Sequence, residues 1–341
     1  MRQRARPPVH YRKPCEFISL AVIILAACLG ACVSPHGTSE DVTFTGAGDT
    51  QLRGTLIKPH QESEALPAIV LLHGAEKATR DRMIYALTAN VFLEYGIAVF
   101  VYDKRGAGES GGDYEATTYA QLVEDAISAV SVLKAEPSID AQRVGILGIS
   151  ESGWLTPEIA ERSGAAFVIN KVGSALSVQD TIAWEIYNEL LDDGVSESRA
   201  NEQVDIYRRI WKFRIAPTDA ERSALEAILA DWSNLRDSHL PKVLRDVSDD
   251  YIADISYDPG PYLERLKTPT LFLYGTEDVN IPTAECAVRL DELSAEGLPV
   301  SYHIFADEGH ELGGFSPLPP FYAFADDYAR LIREFALLHT R

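Results

Sequence analysis

The chain has 341 residues, enough for one large domain or two modest ones. Apolar residues make up 46% and charged residues 24%, ordinary globular values that allow a sizeable core and argue against global disorder. A formal net charge of −20 argues against a nucleic-acid partner, because phosphate binding needs clustered Lys and Arg; the acidity reads as solubility.

The chain opens on a basic stretch. Arg2, Arg4, Arg6, Arg12 and Lys13 stand there against one acid, Glu16. FISLAVIILAACLGA then runs uncharged from Phe17 to Ala31, short for a membrane span and suited to the apolar region of an export signal. It ends Leu29-Gly30-Ala31-Cys32. Small residues before a Cys at this place resemble the lipobox of bacterial lipoproteins. That resemblance implies cleavage after residue 31, lipidation of Cys32, and a domain exported and held at the cell envelope by its lipid. A second such site ends at Cys28. The competing reading is an uncleaved anchor helix. Residues 32–40 read as a linker.

Cys15, Cys28 and Cys32 belong to this segment or its end, so Cys286 is alone in the body and no internal disulfide is expected. Cys286 reads as a small buried residue. No His/Cys cluster has metal-ligand spacing, and no metal or cofactor is expected.

EDVTFTG and TQLRGTLIKP read as two strands joined at Gly46–Gly48. PAIVLLHG is a continuous apolar run, the mark of a strand buried on both faces. Residues 81–95 have helical spacing, and GIAVFVYD is the next buried strand. TYAQLVEDAISAVSVLKAE is an amphipathic helix with Leu122, Ile127, Val130 and Leu133 on its apolar side. RVGILGIS, ESGWLTPEIAERS and AAFVINKVGS continue as strand, helix and strand. Such alternation predicts a mostly parallel sheet covered on both faces. It stops near residue 175. Residues 175–267 read as an all-helical insertion, with a capping box at Thr218–Glu221. TPTLFLYG, a helix around 284–293 and VSYHIF resume the sheet. A last helix is predicted to carry Phe321, Phe324, Tyr328, Leu331, Phe335 and Leu338.

The chemistry centres on GISESG, residues 148–153. A serine on a tight strand-to-helix turn is exposed, and the helix N-terminus is aimed at the reaction centre. Small neighbours are needed where strand and helix pass closely. Gly148 precedes Ser150 and Ser152 follows it. Ser152 would itself be flanked by Trp154, which is too large, so Ser150 is the candidate nucleophile. Ser152 stands where the usual signature has Gly.

At this point the chain resembles the α/β-hydrolase superfamily, from about residue 41 onwards. The resemblance implies that fold, with residues 41–174 and 268–341 as the core and 175–267 as a helical cap. It implies the chain order nucleophile, acid, histidine. In FLYGTEDVNIP the G-x-x-D pattern selects Asp278 over Glu277; in HIFADEGHELGG the late histidine is His310, and His303 lies inside a strand. Ser150 then attacks an acyl carbonyl, His310 moves the proton and Asp278 orients the imidazole. The oxyanion donors are the backbone N–H groups of Glu151 and, after the HG pair His73-Gly74, of Ala75. YDKRGAGESGG resembles the family's loop after the fourth strand, with Asp103, Arg105 and Gly106 shaping it; a phosphate cradle lacks the following GK[ST].

The expected function is a carboxylesterase acting on small or medium acyl esters. A capped aminopeptidase is the alternative within the enzymes, a thioesterase is a further one, and a non-catalytic binding protein of the same fold is the rival class. Trp184, Tyr187, Tyr207, Trp211 and Trp232 read as cap core. Glu185, Glu189, Asp192 and Asp193 read as a solvated face.

Overall fold

A computed structural model describes residues 34–60, 65–235, 237–244, 254–318 and 322–341. The lipobox cysteines Cys28 and Cys32 lie outside the described residues, as does Phe321. Among the described residues no helix is long and apolar enough to cross a membrane.

Eight strands form one sheet in the order β1-β2-β4-β3-β5-β6-β7-β8. β1 (Gly37–Thr45) and β2 (Gln51–Pro59) form an antiparallel hairpin, and β2 also runs antiparallel to β4 (Ala98–Tyr102). From β4 onwards every pairing is parallel, through β3 (Leu66–Leu71), β5 (Ile139–Ile149), β6 (Val168–Lys171), β7 (Thr270–Gly275) and β8 (Val300–Phe305). Parallel neighbours need crossovers, which put helices on both faces and explain the unbroken apolar runs. Ile69, Val70, Leu71, Val99 and Phe100 are fully buried.

One face is covered by α2 (Tyr119–Ala135) and α3 (Glu151–Ser163), the other by α1 (Met83–Leu93) and the C-terminal α9 (Tyr328–Leu338). α8 (Thr283–Ala295) packs beside β7 and β8 and buries Cys286 among Phe272, Leu290 and Leu293. α2 opens with a complete capping box between Thr118 and Gln121. At Thr218 the predicted box is half made: its hydroxyl accepts from Glu221 N–H at 3.3 Å, but the Glu221 carboxylate pairs with Arg209. An ion pair draws away the side chain that would close it.

Between β6 and β7 the chain leaves the sheet and forms α4 (Val178–Asp192), α5 (Glu197–Ile215) and α6 (Asp219–Trp232). A short α7 (Gly260–Leu263) leads back, and its Leu263 packs with Phe272 and Cys286. Tyr207, Trp211 and Trp232 are buried in an apolar cluster continuous with the α2–α3 side of the sheet.

The last predicted helix starts later than expected. Phe324 lies in β10 (Tyr322–Phe324), which pairs antiparallel with β9 (Gly313–Phe315). Asp327, at φ +68°, turns the chain before α9 begins. Phe324 stacks on Tyr328 at 4.7 Å, so the three- and four-residue spacing reflects a shared apolar contact and not one helix. Leu338 is 67% exposed.

Lys171 ends β6 almost fully buried, with its ammonium 5.7 Å from the Tyr328 ring centre. Burial pushes its pKa down to about 8, against the pull of Glu311 and Glu76. Below that pH the buried cation costs stability; between about 8 and the unfolded value of 10.5 the folded chain releases its proton first, so stability rises with pH. Lys171→Met is therefore expected to raise the unfolding free energy at pH 7, by up to roughly 3 kcal/mol, with a smaller gain at pH 10. Denaturant midpoints of both proteins at the two pH values check this. An equal gain at both would reject the charge-burial account.

Candidate active site

β5 ends at Ile149 and α3 begins at Glu151, so Ser150 alone makes the turn. It sits at φ +51°, ψ −113°, a conformation that non-glycine residues rarely adopt. The surroundings impose it. Ser150 N–H donates to Lys171 O at 2.9 Å, and Gly153 N–H donates back to Ser150 O at 2.8 Å. A Cβ on Gly148 would meet Thr156 Cγ2 at 2.4 Å, and one on Gly153 would meet the Gly173 Cα at 2.4 Å. At Gly153, one residue beyond the usual glycine, α3 therefore passes backbone to backbone against the segment that follows β6. Ser152 plays a different part, stitching the turn from inside: Ile149 N–H donates to its Oγ at 2.7 Å.

The structure brings Ser150, His310 and Asp278 together. Ser150 Oγ lies 2.9 Å from His310 Nε2. His310 Nδ1 lies 2.9 and 3.1 Å from the two Asp278 oxygens. Asp278 is 7% exposed and can only accept, which assigns the ring proton to Nδ1 and leaves Nε2 to accept from the serine hydroxyl. Asp278 Oδ1 also accepts from the N–H groups of Asn280 and Ile281 at 2.9 and 3.0 Å. Glu277, the rival acid, is exposed. The acid and histidine turns meet directly: Glu277 N–H donates to Glu308 O at 2.9 Å, and a Cβ on Gly275 would fall 2.0 Å from that same oxygen.

The two nominated oxyanion donors flank this chain of bonds. Glu151 N–H opens α3 and has no intrahelical acceptor. Ala75 N–H has no acceptor among the described residues. Its neighbour Gly74 abuts Ser150, since a Cβ on Gly74 would lie 3.6 Å from Ser150 Cβ. The His73 side chain is buried edge-on between Tyr85 and Tyr102, and burial lowers its pKa to about 3. It is a neutral packing group. His303 is exposed on β8 against Phe305. Asp103 accepts from Arg80 N–H and Glu109 N–H, each at 2.8 Å, and Arg105 pairs with buried Asp125. Gly106 takes φ +71° beside Tyr114.

One acid departs from its expected place on a solvated face. Glu185 is half-buried on α4 and accepts from Asn280 Nδ2 at 2.7 Å. Burial raises its pKa, and the nearby Asp278 charge adds to this while Asn280 and His310 oppose it. Asn188 Nδ2 donates to Val279 O at 3.2 Å on the same turn. α4 is thus docked on the loop that holds the acid. No local signal announces a contact between residues 95 positions apart.

The family description X-Pro dipeptidyl-peptidase (S15 family) matches residues 47–310. The chain belongs to this family. Among curated relatives, the esterase EstD of Thermotoga maritima is 28% identical over 284 residues, 82% of this chain and 61% of its own length. The chain thus spans about three-fifths of that relative. Among solved structures, an esterase of Pyrococcus furiosus covers 89% of this chain and 91% of its own, with a TM-score of 0.57 and 16% identity. The α/β hydrolase GrgF of a Penicillium species covers 89% and 99%, with a TM-score of 0.54 and 18% identity. These likenesses show the α/β-hydrolase fold for this S15 member.

The turn geometry sets a contrast at position 152. Ser152→Gly is expected to keep activity and to lose about 2–3 kcal/mol of stability, from its two hydrogen bonds with the Ile149 backbone and a helical glycine. Ser152→Leu has no room beside Gly148 and is expected to abolish activity. Ester turnover and chemical denaturation of both variants test this.

Proposed function

We propose that this S15 member is a serine hydrolase acting on carboxylic esters of small or medium acyl groups. The observation that carries the reading is the unbroken hydrogen-bonded chain from Ser150 through His310 to Asp278. A serine hydroxyl needs a base within hydrogen-bond reach, and here the base is held by a buried carboxylate. Ser150 Oγ attacks the acyl carbon as His310 Nε2 takes its proton. The N–H groups of Ala75 and Glu151 receive the developing oxyanion. His310 returns the proton to the leaving alcohol, and water, activated by the same imidazole, releases the acid. The likeness to an esterase over 82% of this chain supports the ester substrate.

Glu185 favours a second reading, an aminopeptidase. A carboxylate on α4 that accepts from Asn280, two residues from Asp278, would suit a substrate ammonium group, and the match to a peptidase family supports this reading. A non-catalytic binding protein of the same fold is disfavoured, because the hydrogen-bonded chain is intact.

An alkyl fluorophosphonate is expected to label the wild type and leave Ser150→Ala unlabelled; a folded but unlabelled wild type would remove the enzyme reading. p-Nitrophenyl esters and aminoacyl arylamides then separate the two substrates. On the ester reading, esters turn over faster and Glu185→Gln changes ester kcat/KM by less than about threefold, a negligible energy. On the peptidase reading, arylamides dominate and Glu185→Gln cuts their kcat/KM about tenfold or more.

We also infer that the chain is exported and anchored through a lipid on Cys32, from the LGAC sequence alone. Cys32→Ser should move the protein from the membrane fraction to the soluble one. If Cys28→Ser does so instead, the other lipobox is used.

A further inference from the structure

Lys104 is the third residue of the YDKRG stretch, and the proposed reaction gives it no role. It is 4% exposed, in the loop after β4. Its ammonium donates to Gly74 O at 2.7 Å and to the Glu151 carboxylate. These partners belong to different segments, the loop after β3 and the first residue of α3. They are also the two segments that supply the oxyanion donors.

The geometry of the peptide group makes the contact with Gly74 consequential. The C=O of Gly74 and the N–H of Ala75 belong to one planar trans unit and point in opposite directions. Holding that carbonyl on Lys104 fixes where the Ala75 N–H points. A second contact acts on the next peptide, because the Tyr114 hydroxyl donates to Ala75 O. Tyr114 and Lys104 are themselves in contact, with Nζ 5.5 Å from the ring centre. The backbone N–H of Lys104 adds a third tie to the loop, to Ala78 O at 3.1 Å. On the other side, the Glu151 side chain is only 13% exposed, so its pairing with Lys104 anchors the residue whose N–H is the second donor.

We propose that Lys104 is a positioning residue for the oxyanion hole, clamping the Gly74–Ala75 peptide and Glu151 to one buried cation so that both N–H groups converge on the tetrahedral intermediate. The proposal rests on the serine hydrolase reading. Preorganised donors act where charge develops, so the clamp stabilises the transition state and leaves substrate binding almost unchanged. Tyr114 supports the same loop from its outer side.

The test uses the full chain, an ester substrate and an aryl trifluoromethyl ketone, whose adduct with Ser150 carries an oxyanion. Lys104→Met keeps the length of the side chain and removes its donor and charge. Its kcat is expected to fall about 10- to 100-fold, with KM within about threefold of wild type. Its affinity for the ketone should fall in proportion to kcat/KM. Tyr114→Phe is expected to show the same pattern at about fivefold. A folded Lys104→Met with wild-type kcat overturns the proposal, as does a loss confined to KM or a loss of kcat with unchanged ketone affinity. If Lys104→Met does not fold, Tyr114→Phe decides: a matched loss of kcat and ketone affinity supports the clamp, and no loss overturns it. Failure of the underlying reading looks different, because the wild type itself would then resist the fluorophosphonate.

Discussion

Everything at this site depends on one strained residue, Ser150, held at positive φ between β5 and α3. Such a conformation costs of order 1–3 kcal/mol and persists only where its surroundings leave no alternative. Here the constraint is steric. Gly148 and Gly153 let α3 press against the sheet, and the Gly153–Gly173 contact leaves no space for a relaxed turn. The same approach sets the start of α3, which presents the Glu151 N–H, and seats Ser150 N–H on β6. Ser150, the Glu151 N–H and the neighbouring strand are thus fixed by a single close approach.

The other members arrive on loops, which are held by polar contacts more than by apolar ones. Asp278 is tied by two backbone N–H groups of its own turn, and that turn is tied to the histidine turn through Glu308. Asp103 and Lys104, adjacent in one loop, reach in different directions: the carboxylate to Arg80 and Glu109, the ammonium to Gly74 and Glu151. Buried charges of this kind are costly unless each finds partners. Those partners lie on separate segments, so satisfying each charge also draws the loops into register.

Much of this is legible in the amino-acid sequence. Apolar runs of five to eight residues name the central strands, because a strand buried on both faces has that pattern. Gly148 and Ser152 single out Ser150 by size, and chain order nominates Asp278 and His310. What escapes is long-range. Glu185 looks like one acid among several on a polar helix; only the docking of α4 on the Asp278 turn makes it different. Lys104 occupies a position of the YDxRG pattern that admits any residue, so its partners carry all the information. The β9–β10 pairing hides behind a helical spacing, because Phe324 and Tyr328 share a core contact four residues apart. At Thr218 a correct sequence signature yields half the expected geometry, since Arg209 competes for Glu221.

The exit and return of the helical insertion have a broader implication. It leaves after β6 and returns to β7, and these strands are direct neighbours in register from Val168↔Thr270 onwards. Because the two strands run parallel, the excursion leaves at the C-terminal end of β6 and re-enters at the N-terminal end of β7, so it also serves as the crossover that parallel pairing requires. The closure entropy of such a loop grows only slowly with its length. Changes in the length of its connections are therefore cheap where they leave the apolar cluster shared with α2 and α3 intact. Restrictions fall on the α4 residues that touch the Asp278 turn and on the apolar residues of α5 and α6 that share a core with α2 and α3. The insertion is thus joined to the sheet twice, through the apolar cluster it shares with α2 and α3 and through the polar contacts of α4 with the Asp278 turn.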